Sequence, residues 1–296
     1  MKLVISDLYK TYTNGVQALK GINLNISTGM FGLLGPNGAG KSSLMRTIAT
    51  LQEPDTGSIH LGDINVLKDK QTVRSLLGYL PQEFGVYPKV SAESLLNHLA
   101  ALKGVINRKE RKELVASLLH KTNLYDARKK NLSGYSGGMK QRFGIAQALI
   151  ASPKLIIVDE PTAGLDPAER NRFLNLLAEI GENTIVILST HIVEDVKELC
   201  TDMAIINQGE VLMTKDPYEA IAEIEDKIWE KRVEKNALAA HKARYEVISE
   251  RMLGGRPMIR VYHDDMPSPE FRKTHADLED VYFTCIHRKQ SYQKAS

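Results

Sequence analysis

The 296 residues, 43% of them hydrophobic and 25% charged, suffice for one large domain with a buried core plus a small appendage, at an ordinary soluble composition. The net charge of +3 falls short of a basic nucleic-acid footprint, so Arg128-Lys129-Lys130 reads as a solvated face and no nucleic-acid partner is expected. No apolar run reaches the ~18 residues of a membrane span and the start lacks the apolar core of a signal peptide, while Cys200 and Cys285, the two cysteines, read as packing thiols in a reducing compartment.

In chain order, residues 3–9 and 18–26 read as strands around the turn Thr13-Asn14-Gly15, which predicts an early antiparallel layer. Tyr12, just before that turn, is placed either to present its ring to a base or to serve as a strand-edge aromatic; its position ahead of the glycine-rich stretch 35–42 favours the base. The apolar run 30–34 then feeds Gly35-Pro36-Asn37-Gly38-Ala39-Gly40-Lys41-Ser42, a full match to G-x-x-x-x-G-K-[ST] in the strand-to-helix setting it requires. Glycines keep the backbone open for N–H donors to wrap a polyphosphate, and Ser43 opens a helix whose positive end faces the anion. Lys41 would reach the outer phosphates and the Ser42 hydroxyl would hold Mg²⁺.

Residues 58–61 and 76–80 read as strands, the second ending in Pro81-Gln82. An amide at that strand end can accept from a metal-bound water or donate to an attacking one, with residues 83–85 as a flexible continuation; the alternative is a polar loop residue. Residues 91–103 and 109–121 have helical spacing and form a helical insert. Next comes Leu132-Ser133-Gly134-Tyr135-Ser136-Gly137-Gly138-Met139-Lys140-Gln141-Arg142, then an apolar helix over 143–150. Ser136, Gly137 and Gly138 open a helix as a second anion-binding terminus or as an ordinary N-cap with a flexible start.

The short apolar run 155–158 is the pattern of a buried parallel strand, and it ends on Asp159-Glu160. Two carboxylates there are costly unless they work: Asp159 suits a metal shell and Glu160 suits polarising a water. Asp166 with Pro167 caps the helix through 180. Another buried strand, 184–189, leads into Thr190-His191, where one ring nitrogen can meet a terminal phosphate while the backbone fixes the other. Residues 202–207 and 210–213 read as a closing hairpin around Gln208-Gly209.

Assembled, these residues resemble the ATP-binding subunit of ABC transporters over nearly all of residues 1–216. The family's parts stand in order: Tyr12, the phosphate loop, Gln82, the signature Tyr135-Ser136-Gly137-Gly138-Met139, Asp159 and Glu160, the Asp166 loop, and His191. The resemblance implies ATP and Mg²⁺ as cofactors and a head-to-tail pair of subunits, expected to be identical, with Ser136 to Gly138 of one meeting ATP on the other. It also implies separately encoded membrane-spanning permease subunits and a place on the cytoplasmic face of the membrane. The signature departs from Leu-Ser-Gly-Gly-Gln at Tyr135 and Met139.

From residue 217 the composition changes. Residues 227–233 and 258–262 are strand-like and 237–245 helical, with Trp229 as core, which predicts a small appendage over 217–296. Asp277-Leu278-Glu279-Asp280-Val281-Tyr282-Phe283 is similar to a Leu-Glu-Asp-Val-Phe tail of exporter-type systems, or is a helix turn packing Leu278, Val281 and Tyr282. The expected fold is α/β: a P-loop NTPase with a parallel core sheet, an N-terminal antiparallel β layer, a helical signature subdomain about 83–151, and a small α+β C-terminal appendage. A soluble ATPase of the same class acting on ribosomes or DNA is the competing function; the two cassettes per chain or long coiled-coil insert usual there are absent from this sequence.

Overall fold

The computed structural model describes residues 1–82, 85, 87–162 and 164–295, with backbone alone for 290–295. Its central sheet is six-stranded, in the order Glu210–Lys215, Asp202–Asn207, Gly29–Leu34, Ile185–Thr190, Leu155–Asp159, Leu77–Leu80. All neighbours are parallel except the edge strand Glu210–Lys215, which forms the expected hairpin with Asp202–Asn207. The inner strands Leu155–Asp159 and Ile185–Thr190 are buried along their whole length. That is why they carry continuous Ile, Val and Leu rather than an alternating pattern. Register puts Leu34 beside Thr190 and Asp159 beside Ser189, so the carboxyl ends of three strands open on one crevice, where ligands of open α/β sheets bind.

A second, four-stranded antiparallel sheet runs in the order Gln17–Ser27, Lys2–Thr11, Thr56–Leu61, Ile64–Asn65. Its inner face, including Leu3, Ile5, Ile22 and Ile59, packs with Met45 and Ile48 of the helix Lys41–Ile48. The helical unit predicted for 83–151, of which 83, 84 and 86 lie outside the described residues, holds Ala92–Leu102, Arg108–Lys121 and Gly137–Ala148. Ser91, Asn107 and Ser136 cap them, each cap contributing about 1 kcal/mol. Leu96, Val115, Leu119 and Phe143 give this unit a core of its own.

Residues 217–296, expected as one accessory unit, supply two kinds of element. Val247–Leu253, Arg256–Tyr262, Ile228–Arg232 and Arg272–Lys273 form an antiparallel sheet in that order, with Trp229 buried against Val261 and Phe271. The helices Pro217–Ala222 and Leu278–Ala295 instead return to the main domain, where Ala220, Leu278 and Val281 share a core with Met30, Val196 and Cys200. Arg260 joins the two parts: its guanidinium donates to Asp280 at 2.6 Å and Asp277 at 3.2 Å, at the start of the terminal helix. Burial pushes the Asp280 carboxyl up to about 6. Both cysteines are free thiols raised by burial. Among the described residues no helix is long and apolar enough to cross a membrane.

Candidate functional site

At the carboxyl end of Gly29–Leu34 the chain enters the loop 35–42 and then the helix Lys41–Ile48. Gly40 has φ +108°, and a Cβ there would lie 2.4 Å from Ala18 O, so no other residue fits the turn into the helix. The hairpin tip braces the loop from outside: Gly209 N donates to Ala39 O at 2.8 Å and Lys20 N donates to Gly209 O at 2.8 Å. Lys41 is only 6% exposed. Its ammonium donates to Gly35 O at 2.6 Å and lies 3.8 Å from Glu160 Oε1. Burial lowers its pKa, and the Glu160 and Asp159 carboxylates act against that shift.

Glu160 has left its strand, with φ +49°, a strained conformation for a non-glycine residue of the kind that clusters at functional sites. Its N–H donates to Ser189 O at 2.8 Å on the adjacent strand, and its carboxylate accepts from His191 Nδ1 at 2.6 Å. The expectation that the backbone fixes this imidazole is therefore corrected: the Glu160 carboxylate does so, and Nε2 is the ring nitrogen left for other partners. Asp159 is 5% exposed, and its Oδ1 has no hydrogen-bond partner; neither has the buried Ser189 Oγ beside it. A buried carboxylate oxygen is costly without a partner, so this donor set fits a hydrated cation at the strand ends.

Lys41, Glu160 and His191 share a cleft of about 540 Å³ that is also lined by Tyr12, the rest of residues 36–43 and Gln82. The Tyr12 hydroxyl bonds Ser43 Oγ at 2.9 Å and donates to Gln52 Oε1 at 3.1 Å, which ties the ring to the start of the phosphate-loop helix. Gln82, just past Leu77–Leu80, is exposed at the cleft; part of its expected flexible continuation, residues 83 and 84, lies outside the described residues.

The ABC transporter family model matches residues 19–163. The uncharacterized ABC transporter ATP-binding protein YxlF of Bacillus subtilis is 37% identical over 210 residues, 71% of this chain and 69% of that protein. The daunorubicin/doxorubicin resistance ATP-binding protein DrrA of Streptomyces peucetius is 32% identical over 265 residues, 89% of this chain and 78% of that protein. The chain belongs to the ABC transporter family. Among solved structures, the dimeric post-hydrolysis state of the ATP-binding cassette MJ0796 bound to ADP and Pi matches with a TM-score of 0.66 at 27% identity, covering 72% of this chain and 98% of that one. This ABC protein is an ATP-binding, ATP-hydrolysing subunit built on the α/β P-loop fold.

Within the ABC ATPase, the signature and the Asp166 loop stand outside the cleft. Ser136 Oγ caps its helix by accepting from Met139 N at 3.2 Å, and Asp166 Oδ1 caps the helix Pro167–Gly181 by accepting from Glu169 N at 2.9 Å. Ser136 and Gly137 are exposed, whereas Gly138 is buried. A Cβ at Gly138 would meet Glu169 Oε2 at 2.5 Å, and that carboxylate is already paired with Arg142. The two departures from the family signature face inward: Tyr135 is buried and donates to Ala127 O at 3.0 Å, and Met139 packs on the helical core.

Sequence reading missed Val16, Gln17, Ala18, Lys20 and Gln208, which also line the cleft, because only the pairing of distant strands brings them there. It also missed Asp195, fully buried, which accepts from Thr162 Oγ1 at 2.6 Å and Arg170 Nε at 2.7 Å. This carboxylate ties the segment after Glu160 to the helix capped by Asp166 and to the helix after His191. A fully buried Asp on a short helix has no sequence signal; its partners exist only in three dimensions.

Proposed function

We propose that two copies of this chain hydrolyse ATP at shared interfaces and drive export through separately encoded permease subunits, with the chain peripheral on the cytoplasmic face of the membrane. The observation that carries the reading is the convergence of Lys41, Glu160 and His191 within one cleft. Gly35 to Ser43 wrap the phosphates of ATP, Lys41 contacts the outer ones, and the Tyr12 ring faces the base. Glu160 orients the attacking water, and His191 Nε2 holds the terminal phosphate. Mg²⁺ would be held by Ser42, Asp159 and Gln82, and would neutralise charge on the phosphates. Ser136, Gly137 and Gly138, which line no part of their own cleft, serve the ATP of the second copy, with Asp166 beside that interface. The 265-residue match to a drug-resistance ATP-binding protein reaches beyond the ATP-binding portion and supports export over import.

A groove of about 620 Å³ between the helical unit and the core, lined by Leu51, Arg74, Tyr79, Leu99 and Leu102, is the proposed seat of the permease. Leu51 and Leu102 are exposed there at 55% and 72%, and Tyr79 stands on the strand that leads to Gln82. Docking would therefore be felt at the cleft. Lys41→Ala tests the reading: it should weaken ATP binding itself, and unchanged nucleotide affinity contradicts the role given to the phosphate loop.

A further inference from the structure

The seam between the main domain and the C-terminal sheet forms a half-open cleft of about 370 Å³, at the small end of the roughly 300–1,000 Å³ of ligand clefts. Its floor is apolar, with Met213 and Ile224 from the main domain and Val281 and Cys285 from the terminal helix. Burial holds the Cys285 thiol up and therefore neutral. Thr284 lines the same cavity; it is 5% exposed, and its Oγ1 has no hydrogen-bond partner. Buried without a partner, this hydroxyl carries a cost that a rotamer change into the cavity and a bonded ligand would relieve.

Two cations frame the opening. Lys227 Nζ lies 5.7 Å and Arg288 Cζ 4.1 Å from the ring centroid of Tyr262. Arg288 follows Thr284 by one helical turn, so both reach over one face. Their carboxylate partners, Asp264 at 3.2 Å and Glu246 at 3.5 Å, are not among the cavity-lining residues, and ion pairs of this exposed kind are weak and readily exchanged. The acidic lining residue, Glu223, is itself paired with Lys215.

We propose that this seam binds a small amphiphilic anion, an apolar body carrying one carboxylate. The body lies on Met213, Ile224, Val281 and Cys285, and the carboxylate takes Lys227, Arg288 and the Thr284 hydroxyl as donors. Because the walls come from both parts of the chain, the bound molecule ties the C-terminal sheet to the ATPase. That makes the seam an effector site apart from the ATP cleft.

The test uses the full chain and two probes, octanoate and phenylacetate, with octanol and octylamine as uncharged and oppositely charged controls. Calorimetric titration should show at least one carboxylate binding at one site per chain, about tenfold or more tighter than either control. Thr284→Val, which keeps the shape, and Arg288→Gln should each weaken it about tenfold. The bound carboxylate should also slow alkylation of Cys285 by N-ethylmaleimide. Binding no tighter than octanol, binding unchanged in both variants, or an unaltered Cys285 reaction rate would each overturn the proposal, as would no binding by either carboxylate.

Discussion

His191 Nδ1 stands 2.6 Å from Glu160 Oε2, and the two side chains differ sharply in exposure, 57% for His191 and 9% for Glu160. The buried carboxylate is thus held from outside by a side chain that solvent and a partner can reach. Lys41 holds it from inside at 3.8 Å. In the proposed reaction this places the water-orienting carboxylate between the cation that binds phosphate and the imidazole that senses it.

Glu160→Gln keeps the shape and removes the charge. Hydrolysis should fall by roughly 10²–10⁴ while ATP affinity is retained, as read from single-turnover assays beside nucleotide titration. A variant turning over ATP at near the parent rate removes Glu160 from the chemistry.

Asp159→Asn should raise the Mg²⁺ concentration needed for half-maximal nucleotide binding by roughly 10–100-fold. The basis is the unpartnered Oδ1 of a buried carboxylate. Nucleotide titrations at stepped Mg²⁺ give the answer, and an unchanged metal requirement would mean that the orphan oxygen serves water alone.

Asp280 supplies a pH prediction. Its folded carboxyl, pushed up to about 6 chiefly by burial from an ordinary value of 3.8, binds more protons in the folded than in the unfolded chain between those values. Stability from this group therefore increases as pH falls through 6 toward 3.8, at up to about 1.36 kcal/mol per pKa unit. Denaturant unfolding at stepped pH should show the parent gaining on Asp280→Asn across that window. A difference that stays flat from pH 7 to 4 would show that Arg260 keeps the carboxylate charged.

Much of this was readable because the chemistry is written in contiguous residues. The phosphate loop must follow a strand and open a helix, and Asp159-Glu160 must end a buried one, so spacing alone places them. What escaped was set by tertiary packing. The helix Lys70–Leu76 buries only Val73, and the strand Val247–Leu253 buries only Ile248, so neither prints a period. The terminal helix showed only its first turn, where Leu278 and Val281 pack. The composition changes at residue 217, but Ala220 and Val281 belong to the main core because their neighbours, Met30 and Val196, lie far away in sequence. The Glu160–His191 bond joins two strand ends whose adjacency follows only from strand order.

The most direct measurement is ATP turnover in a mixture of Ser136→Arg and Lys41→Ala chains. Ser136 caps its own helix and lines no part of its own cleft, so in a paired assembly its loss and the loss of Lys41 damage the same composite site in one mixed pairing and leave the other intact. Each variant alone should be inactive. Their mixture should recover roughly a quarter of the parent rate if chains pair at random and sites act independently. A mixture no more active than the sum of its parts would contradict the shared site and leave Ser136 as a helix cap.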